Sequence, residues 1–557
     1  MSFRKSIFTS LVSIFIVLTI IVIVKGKEAK IPVPNIKERD LPVIILVSFD
    51  TLRADHLGCY GYPKATSPNI DNFSRYSCLF QREIVQLPGT LPSHMSIFTS
   101  LYPRQHDVYP PDARLSTKIQ TLAEILTAHG YTTAGYTEGG YVSGRYGFDR
   151  GFSIFSDKLR GWDKILNAGI QVLKNKSIGT PTFLFLHTYQ THDPYFPPKP
   201  FDQIYTDRSY VPSFEPTGPN LASVNKGIRK INSKDINHFK GLYDAEIRYT
   251  DSLLPELFKA AQERCYDHRS MMIITSDHGE EFMEHGKLVH EQLYEPIIHV
   301  PLIVNLSKDL DHKIVSSPVE SVDILPTILE YTGVPENAQC QGYSLIKTIL
   351  EGKQINRQNL YSESFVVKGA SINSIDSDMK YIQRNHTGGG RHMSATRDIY
   401  LSGIGNELKL KMRGYNQSRN VKVFWENIEV AQFSVPEKWS VFTVSLPQTN
   451  ENVLTTIHLM SDSCDVPHEI SDSEDDRCIA LFLAPTESVP LEDFELYDLK
   501  SDPAETDNLF LESLETKNKW KQEVTTTQKS QQPVGGSLKI HMDKLLLDEL
   551  KALGYIN

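Results

Sequence analysis

The sequence predicts an α/β fold in which parallel strands alternate with helices. Residues 43–60 read VIILVSFDTLRADHLGCY, and this apolar, β-branched run ending in Asp50 is typical of a buried parallel strand. Residues 271–279 repeat the pattern as MMIITSDHG. Residues 120–155 place a helix pattern, TLAEILTAHG, before a strand pattern, YTTAGYTEGG, as in a β-α-β unit. These three observations predict a sheet of parallel strands covered by helices.

The chain begins with an apolar segment. Residues 7–24, IFTSLVSIFIVLTIIVIV, carry no charge and would extend about 27 Å as a helix, close to the thickness of a bilayer core. No small-x-small cleavage site follows, so residues 1–30 are predicted to be a single-pass transmembrane signal anchor, with the rest of the chain outside the cytoplasm. A cleaved signal peptide is the alternative. Residues 31–40, IPVPNIKERD, are predicted to be a linker.

Length and charge narrow the classes of function. The 557 residues suffice for two or more domains. The formal net charge of −10 argues against a nucleic-acid partner, because binding to phosphates requires a surplus of basic side chains. An acidic protein can still bind small anions where a metal sets the local field.

Metal-ligating side chains follow two of the predicted strands. Asp50 ends the first, and Asp277 with His278 ends the second. Because ligands of open α/β sheets bind at the carboxyl ends of strands, these side chains are expected to meet there. A capping Asp and a structural His are the alternative, and the recurrence at two strand ends favours a metal site. Carboxylate with imidazole suits zinc or manganese, while calcium, which prefers oxygen ligands, stays open.

A hydroxyl group lies at the predicted start of a helix between these strands. Residues 87–103, LPGTLPSHMSIFTSLYP, predict a helix that begins near Pro92 and Ser93. The residues predicted to be buried by this helix are Met95, Ile97, Phe98 and Leu101. Unpaired N–H groups and the positive end of the dipole would hold an anionic ester beside Thr90, whose hydroxyl could attack it. A plain helix cap is the alternative.

Two loops carry further candidates. Residues 181–198, PTFLFLHTYQTHDPYFPP, predict a buried strand followed by His192. A turn histidine packed on neighbouring aromatic rings is the alternative for this residue. The loop after His278 contains Lys287 and His290, for which a surface position is the alternative.

Two stretches predict amphipathic helices. Residues 243–257, YDAEIRYTDSLLPEL, have apolar residues at helical spacing, so the carboxylates of Asp244, Glu246 and Asp251 are expected mostly on a solvated face. Residues 542–557, MDKLLLDELKALGYIN, predict a tail helix that docks on the preceding fold.

Short alternating stretches at residues 393–490 predict an all-β module. LKLKMRG, VKVFWE, WSVFTVSL, VLTTIHLM and CIALFLA are typical of the strands of a β-sandwich or jelly roll. Trp425 and Trp439 are candidates for stacking on a carbohydrate, and a core position is the alternative. Outside the cytoplasm, Cys464 and Cys478 would close the acidic loop between them as a disulfide.

Taken together, the motifs resemble those of the sulfatase family within the alkaline-phosphatase superfamily. In chain order they are FDTLRADHLGCYGY, TSPNID, TLPSHMSIFTSLYP, THDPY, SDHGEEFMEHG, YEPIIHVPLIV and ELYDLKSDPAETDNL. The resemblance implies an alkaline-phosphatase-like sandwich with a central mixed, mostly parallel sheet flanked by helices. It also implies a catalytic domain at 41–392, an inserted β-sandwich at 393–490, and a return to the catalytic domain with a tail helix at 491–557.

The resemblance also implies roles for the candidate residues. Family members carry a Cys or Ser at the position of Thr90 that is converted to formylglycine. Oxidation of a Thr would give a ketone, so no formylglycine is expected, and an unmodified Thr90 bound to the metal is the expected nucleophile, as in phosphodiesterase and phosphoethanolamine transferase relatives. His94 replaces an Arg and could donate to Thr90 or the substrate. His192 is expected to contact the ester or assist its leaving oxygen, Lys287 to contact the anionic group, and His290 to bind a second metal.

Three functions fit these expectations. The first, which we favour, is a metal-dependent hydrolase of sulfuric or phosphoric esters that works through a covalent intermediate on Thr90. The second is a membrane-anchored transferase of the phosphoethanolamine or phosphoglycerol type that acts on a lipid or a surface glycan. The third is an inactive glycan-binding homologue, against which the retention of every proposed metal ligand argues. The expected partner is an anionic ester, free or linked to a lipid or glycan.

Overall fold

A computed structural model describes the chain from residue 41 to residue 552. The gaps within this range are 176–180, 266–268, 307–311, 337, 356, 358, 365–368, 375–378, 386–390, 394–395, 403–406, 415–418, 426–427, 439, 447–453, 462–480, 485–491, 500–501 and 506–513. The predicted anchor at residues 7–24 and the linker at 31–40 therefore lie outside the described residues. Within the described residues, no helix is both long enough and apolar enough to cross a membrane.

Strands and helices alternate in the first part of the chain, as the pattern at 120–155 predicted. The strands before residue 321 are β1 (Val43–Phe49), β2 (Cys78–Ile84), β3 (Ala113–Arg114), β4 (Thr132–Tyr136), β5 (Ile154–Ser156), β6 (Thr182–Thr188), β7 (Ser270–Ser276), β8 (Glu281–Phe282), β9 (Leu288–Val289), β10 (His299–Leu306), β11 (Lys313–Val315) and β12 (Val319–Glu320). The helices are α1 (Pro68–Ser74), α2 (Thr90–Thr99), α3 (Pro103–His106), α4 (Leu122–Ala128), α5 (Trp162–Lys174), α6 (Gly218–Asn225), α7 (Ser233–Ser252), α8 (Leu254–Arg264), α9 (Glu295–Ile298), α10 (Ile324–Thr332), α11 (Ile346–Glu351), α12 (Leu514–Ser530) and α13 (Lys544–Ala552).

The central sheet is mixed and mostly parallel. Its order is β11-β2-β10-β7-β1-β6-β4-β5, with β12 also paired to β2. Strand β10 runs antiparallel to both neighbours, β2 and β7, whereas the other neighbouring strands run parallel. Strands β1, β6 and β7 lie in the middle and are buried along their whole length, which explains their continuous apolar sequences. The predicted fold class is confirmed.

Helices cover both faces of this sheet. On one face, Trp162 of α5 packs against Phe49 of β1 with the ring centroids 5.5 Å apart. On the other, Phe98 of α2 packs against Phe185 of β6 at 4.8 Å. Burial of apolar surface stabilises a fold by about 25 cal/mol per Å². The apolar contacts on each face therefore stabilise the packing of α2 and α5 against the strands.

The part of the chain after residue 358 contains antiparallel sheets. One has the strands β13 (Asn359–Ser364), β14 (Gly369–Ser374), β15 (Met379–Asn385) and β24 (Glu492–Asp498). Two more have the strand orders β16-β23-β18-β21 and β17-β22-β19-β20. Their strands are β16 (Arg391–Met393), β17 (Thr396–Ser402), β18 (Glu407–Gly414), β19 (Arg419–Trp425), β20 (Ile428–Val435), β21 (Ser440–Ser445), β22 (Leu454–Ser461) and β23 (Leu481–Ala484). Short strand β25 (Leu538–Lys539) pairs with β3.

The two sheets formed by β16 to β23 occupy the region for which the sequence predicts a β-sandwich, whereas the sheet of β13, β14, β15 and β24 flanks it. Alternate side chains of β18 are fully buried, namely Leu408, Leu410 and Met412. The domain bounds of 393–490 stay a prediction. The side chain of Trp425, the whole of Trp439 and the loop from Cys464 to Cys478 lie outside the described residues, so the carbohydrate and disulfide hypotheses also stay predictions.

Helix α2 begins at Thr90, so the predicted start near Pro92 and Ser93 was late. Pro92 is the third residue of the helix, where its missing N–H costs nothing because the first turn has no intrahelical acceptor for it. The apolar residues predicted to be buried are all buried, namely Met95, Ile97, Phe98 and Leu101. The tail helix also forms as α13, which buries Leu546 and Leu550.

The carboxylates of α7 contradict the expected solvated face. Asp244, Glu246 and Asp251 are at most 1% exposed. Each accepts hydrogen bonds from a different segment that packs over the helix. Helical spacing identified the helix but could not show that loops cover its polar side.

Candidate active site

The carboxyl ends of β1 and β7 bring Asp50, Asp277 and His278 together. Phe49 and Ser276 are in register on adjacent parallel strands, so the residues that follow them adjoin. His278 Nε2 lies 3.6 Å from Asp50 Oδ1 and 3.7 Å from Asp277 Oδ2. All three side chains are fully buried, and one ligand atom from each lies within 4.8 Å of the others. This spacing suits a single bound cation.

The donor atoms themselves also fit a metal. Asp277 Oδ2 and His278 Nε2 are buried without a hydrogen-bond partner. His278 Nδ1 lies 3.0 Å from the Gly279 carbonyl oxygen, which can only accept, so Nδ1 carries the proton and Nε2 keeps its lone pair. Burial raises the pKa of Asp277 to about 7 and lowers the pKa of His278 to about 3. A divalent cation would satisfy both atoms and balance the buried carboxylates.

Thr90 is the first residue of α2 and faces this cluster. Its Oγ1 donates to Asp50 Oδ2 at 3.1 Å. Asp50 thus presents one oxygen to the hydroxyl and the other to His278. One turn along α2, Ser93 Oγ donates to the Asp277 carbonyl at 2.7 Å, which holds the helix start against the end of β7. The positive end of the helix dipole therefore lies beside the hydroxyl.

His94 lies behind Thr90 and contacts its backbone. Nδ1 is 2.8 Å from the Thr90 carbonyl oxygen, and Nε2 is 2.8 Å from Ser48 Oγ. Because the carbonyl only accepts, Nδ1 carries the proton and Nε2 accepts from Ser48. Burial lowers the pKa of His94 to about 3, so the ring is neutral. In this arrangement both ring nitrogens are engaged away from the Thr90 hydroxyl.

His192 and His290 extend the site beyond the first three residues. The ring of His290 lies 4.3 Å from the ring of His278 and 5.3 Å from that of His192, centroid to centroid. Burial alone would lower the pKa of His192, but nearby carboxylates, first that of Asp193, outweigh it and raise the pKa to about 9. Burial lowers the pKa of His290 to about 3. The structure therefore places a cationic and a neutral imidazole side by side.

Glu280 lies beside His290, although the sequence did not indicate it as a site residue. It is fully buried, its Oε1 lies 3.3 Å from His290 Nδ1, and its Oε2 has no hydrogen-bond partner. Burial raises the pKa of Glu280 to about 7. The neighbouring Glu281 instead pairs with His285 Nδ1 at 2.6 Å. Nothing in the string SDHGEE distinguishes the two glutamates, because their roles depend on how the loop folds.

Lys287 is held away from the cluster. Its Nζ donates to the Asn225 carbonyl oxygen at 2.9 Å, at the end of α6. Arg53, a cation that the sequence did not indicate, contacts the loop of the site, because its Nη1 donates to the Glu280 carbonyl at 2.8 Å. Its other nitrogens form a two-point contact with Asp55, so Arg53 braces the loop of Glu280 against the turn after Asp50.

The fold is thus an α/β architecture with a mostly parallel sheet that gathers carboxylates, an imidazole and a helix-start hydroxyl at its carboxyl edge. The chain belongs to the sulfatase family, whose sequence profile, described as Sulfatase, matches residues 42–334, more than half of the chain. This confirms the resemblance inferred from the motifs.

Curated relatives match parts of the chain. Arylsulfatase K of Bos taurus is 35% identical over 122 residues, which cover 22% of this chain and 23% of that protein. Arylsulfatase of Clostridium perfringens is 22% identical over 393 residues, which cover 58% of this chain and 81% of that protein. The chain thus matches less than a quarter of the length of the arylsulfatase K sequences.

Solved structures share the fold over most of the chain. A protein solved in complex with its substrate D-glucosamine-2-N,6-O-disulfate aligns with a TM-score of 0.58 and 16% identity, covering 88% of this chain and 98% of its own. Phosphonate monoester hydrolase of Agrobacterium radiobacter aligns with a TM-score of 0.57 and 15% identity, covering 90% and 100%. At these identities the likeness concerns the fold alone.

Proposed function

We propose that this protein is a metal-dependent hydrolase of sulfuric or phosphoric esters that forms a covalent intermediate on Thr90. The main support is the hydrogen bond from Thr90 Oγ1 to Asp50 beside the cluster of Asp50, Asp277 and His278. A hydroxyl nucleophile needs a partner that accepts its proton, and Asp50 Oδ2 is within hydrogen-bond distance of the Thr90 hydroxyl. Relatives named as arylsulfatases and phosphonate monoester hydrolases agree with an anionic ester as substrate.

Asp50, Asp277 and His278 would hold the metal, together with Thr90 Oγ1. Zinc or manganese is favoured by the mixed carboxylate and imidazole set, and calcium stays open. When bound, such a cation supplies Lewis acidity that lowers the pKa of a hydroxyl and neutralises a non-bridging ester oxygen. Asp50 Oδ2 orients the Thr90 hydroxyl, and neutral His94 fixes the Thr90 backbone.

The ester would be cleaved in two steps. In the first, Thr90 Oγ1 gives its proton to Asp50 and bonds to phosphorus or sulfur, the bond to the leaving oxygen breaks, and the imidazolium of His192 gives that oxygen a proton. The carboxylates around His192 support this role, since they keep the ring cationic at neutral pH. In the second step water gives a proton to the now neutral His192 and bonds to phosphorus or sulfur, the bond to Thr90 Oγ1 breaks, and Asp50 returns its proton to that oxygen.

An unmodified Thr90 favours phosphorus over sulfur in this proposal. The aldehyde hydrate of formylglycine sulfatases cannot form from a threonine side chain. The intermediate on Thr90 must therefore be cleared by direct displacement, as in phosphoryl transfer. If an alcohol took the place of water, the same intermediate would serve a transferase, and the apolar segment at residues 7–24 is the observation that favours a lipid or surface acceptor.

A second cation is proposed at His290; His192, which the mechanism uses as an imidazolium, is a neighbour of His290 and not a ligand of this cation. Glu280 supports it, because this buried carboxylate faces His290 with one oxygen and leaves the other without a hydrogen bond. Titration of the purified protein with zinc, followed by equilibrium dialysis, would give two bound ions per chain if this is so. His290→Gln would then bind one, and a single ion in both proteins would contradict the proposal.

The first test uses purified protein with zinc, manganese or calcium and three substrates: nitrophenyl sulfate, nitrophenyl phosphate and bis-nitrophenyl phosphate. We expect metal-dependent turnover of a phosphate ester that is lost in Thr90→Ala. Thr99→Val is the matched control, since Thr99 is a buried threonine at the other end of α2 and should keep its activity. Turnover that survives in Thr90→Ala would show that the nucleophile lies elsewhere.

The location of the protein follows from its N-terminal sequence and is also a proposal. Residues 1–30 are proposed to anchor the chain in a membrane by residues 7–24, with the catalytic part outside the cytoplasm. Protease added to intact cells should then digest the catalytic part, while a cytoplasmic marker survives. Protection of the catalytic part until the cells are lysed would contradict this orientation.

A further inference from the structure

The loop that carries His192 is attached at both ends to one buried carboxylate of α7. Gln190 Nε2 donates to Glu246 Oε2 at 2.7 Å, and the backbone N–H of Phe196 interacts with the same carboxylate. Glu246 is 1% exposed and lies on the middle of α7, a helix packed beneath the site. One side chain thus spans the five residues between Gln190 and Phe196.

The same helix also supports the turn after Asp50. Tyr243 OH donates to the Thr51 carbonyl at 2.7 Å and accepts from Arg53 N at 2.9 Å. Thr51 has a φ of 55°, a conformation that non-glycine residues seldom adopt and that its surroundings must hold. Thr51 Oγ1 in turn donates to the Thr191 carbonyl at 2.9 Å, which joins the two loops. Helix α7 therefore supports both the loop of His192 and the turn after Asp50.

Two of the contacts of His192 lie within its own loop. Its backbone N–H donates to the Tyr189 carbonyl at 2.9 Å, and its Nδ1 donates to the Asp193 carbonyl at 2.7 Å. Both partners belong to the same loop, so they shape the loop without fixing where it lies. The bonds from Gln190 and Phe196 to Glu246 connect the loop to the helix layer.

We propose that Glu246 is a positioning residue that sets the loop from Gln190 to Phe196 and thereby holds His192 at the reacting ester. This role rests on the proposed function of His192. Glu246 itself touches neither the cluster at the strand ends nor, in the proposed mechanism, the substrate. Misplacement of a catalytic group by about 1 Å can lower a rate a hundredfold, so the carboxylate can matter greatly without taking part in chemistry.

The hydrogen-bonding pattern suggests a test that does not require removal of a buried side chain. In Glu246→Gln, the new amide can accept from Phe196 N–H and donate to Gln190 once the Gln190 amide turns over, so kcat should stay within about threefold of wild type. Burial raises the pKa of Glu246 to about 8, so Gln190→Glu is assayed at pH 9, where two carboxylates meet and repel and kcat should fall about ten- to a hundredfold relative to wild type at the same pH. The double variant Gln190→Glu/Glu246→Gln restores a hydrogen bond between an amide and a carboxylate and should recover most of the lost kcat.

Two readouts separate positioning from general stability. Loss of a group that protonates the leaving oxygen slows phenyl phosphate more than nitrophenyl phosphate, so Gln190→Glu should share this bias with His192→Ala, and the combined variant should be no slower than His192→Ala alone. The matched control is Asp251→Asn, an equally buried carboxylate on α7 that holds the start of α1 through Ile70 N at 2.8 Å. It should lower the melting temperature without the leaving-group bias.

The two proposals fail in different ways. If the wild-type protein turns over no ester, the proposed function fails, and hydrogen exchange of the amides from Gln190 to Phe196 still tests the positioning role. The hydrogen exchange of these amides should be faster in Gln190→Glu than in wild type, and slow again in the double variant Gln190→Glu/Glu246→Gln. If the wild type is active but the effects of Gln190→Glu and His192→Ala simply multiply, or the exchange rates stay unchanged, Glu246 does not position His192.

Discussion

Protonation of Asp277 competes with a metal for the same oxygen. Burial raises the pKa of this carboxyl to about 7, above its ordinary value of 3.8. The site must lose a proton to bind a cation, so affinity should rise as the pH increases through 7 and fall up to about tenfold per pH unit below it. A raised carboxyl pKa also means that the metal-free fold loses stability as the pH rises through 7.

We therefore expect the metal to raise the melting temperature more at pH 8 than at pH 6. Calorimetry at pH 6, 7 and 8, with and without zinc, gives this difference directly. In Asp277→Asn the shift should be small at every pH. A stabilisation by metal that is independent of pH in the wild type would mean that Asp277 is already ionised without the cation.

His94 stabilises the start of α2 as a neutral ring. His94→Ala would remove its bonds to the Thr90 carbonyl and to Ser48 and leave a cavity, so the free energy of unfolding should fall by about 2–4 kcal/mol. Denaturant unfolding measures this. Ser48→Ala is the control that removes only one bond and should cost about 1 kcal/mol. Equal losses in the two variants would show that the bond to Thr90 contributes nothing.

Among elements, the turn after β7 is held by a close approach of two backbones. A Cβ on Gly279 would lie 2.0 Å from the Pro296 carbonyl oxygen of α9. Gly279→Ala must therefore displace the segment of Asp277 and His278, and we expect at least about tenfold weaker zinc binding and a lower melting temperature. Isothermal titration measures the affinity. Gly352→Ala, at the end of α11, strains a positive φ in open space and should leave zinc binding intact.

The elements that the sequence predicts well are those whose burial does not depend on distant partners. Strands β1 and β7 are buried on both faces, so their apolar runs are unambiguous. The antiparallel direction of β10 could not be predicted, because an apolar run looks the same in either direction. The buried carboxylates of Glu246 and Glu280 were missed for a related reason: burial of a polar side chain depends on which loop covers it, and no local pattern records that.

For the whole molecule, a buried ion cluster joins the central sheet to the antiparallel sheet of β13, β14, β15 and β24. Lys380 of β15 is fully buried, and its Nζ lies 3.2 Å from Glu295 Oε1 and 2.5 Å from Glu505 Oε1. Glu505 Oε2 accepts from Glu295 N at 2.6 Å, so the cluster ties α9 to the segment after β24.

Lys380→Met would leave two buried carboxylates without their shared cation. The free energy of unfolding should fall by about 3–5 kcal/mol. Lys422→Met is the matched control, because Lys422 pairs with Glu429 at 2.9 Å on the exposed surface of a sheet, where such a pair is worth about 0–1 kcal/mol. Thermal unfolding of both variants gives the comparison, and similar losses would argue against a special role for the cluster.

The pairing of β15 with β24 has a consequence for how such a chain could have evolved. Asn385 and Glu492 are opposite each other at the end of that ladder, so the chain departs and returns at neighbouring points. For the sheet of β13, β14, β15 and β24, everything between these two residues is a hairpin connection, and the entropy of closing a connection grows only with the logarithm of its length. A lineage could therefore acquire, enlarge or discard an accessory module at this junction as one genetic event, without redesigning the enzyme that carries it.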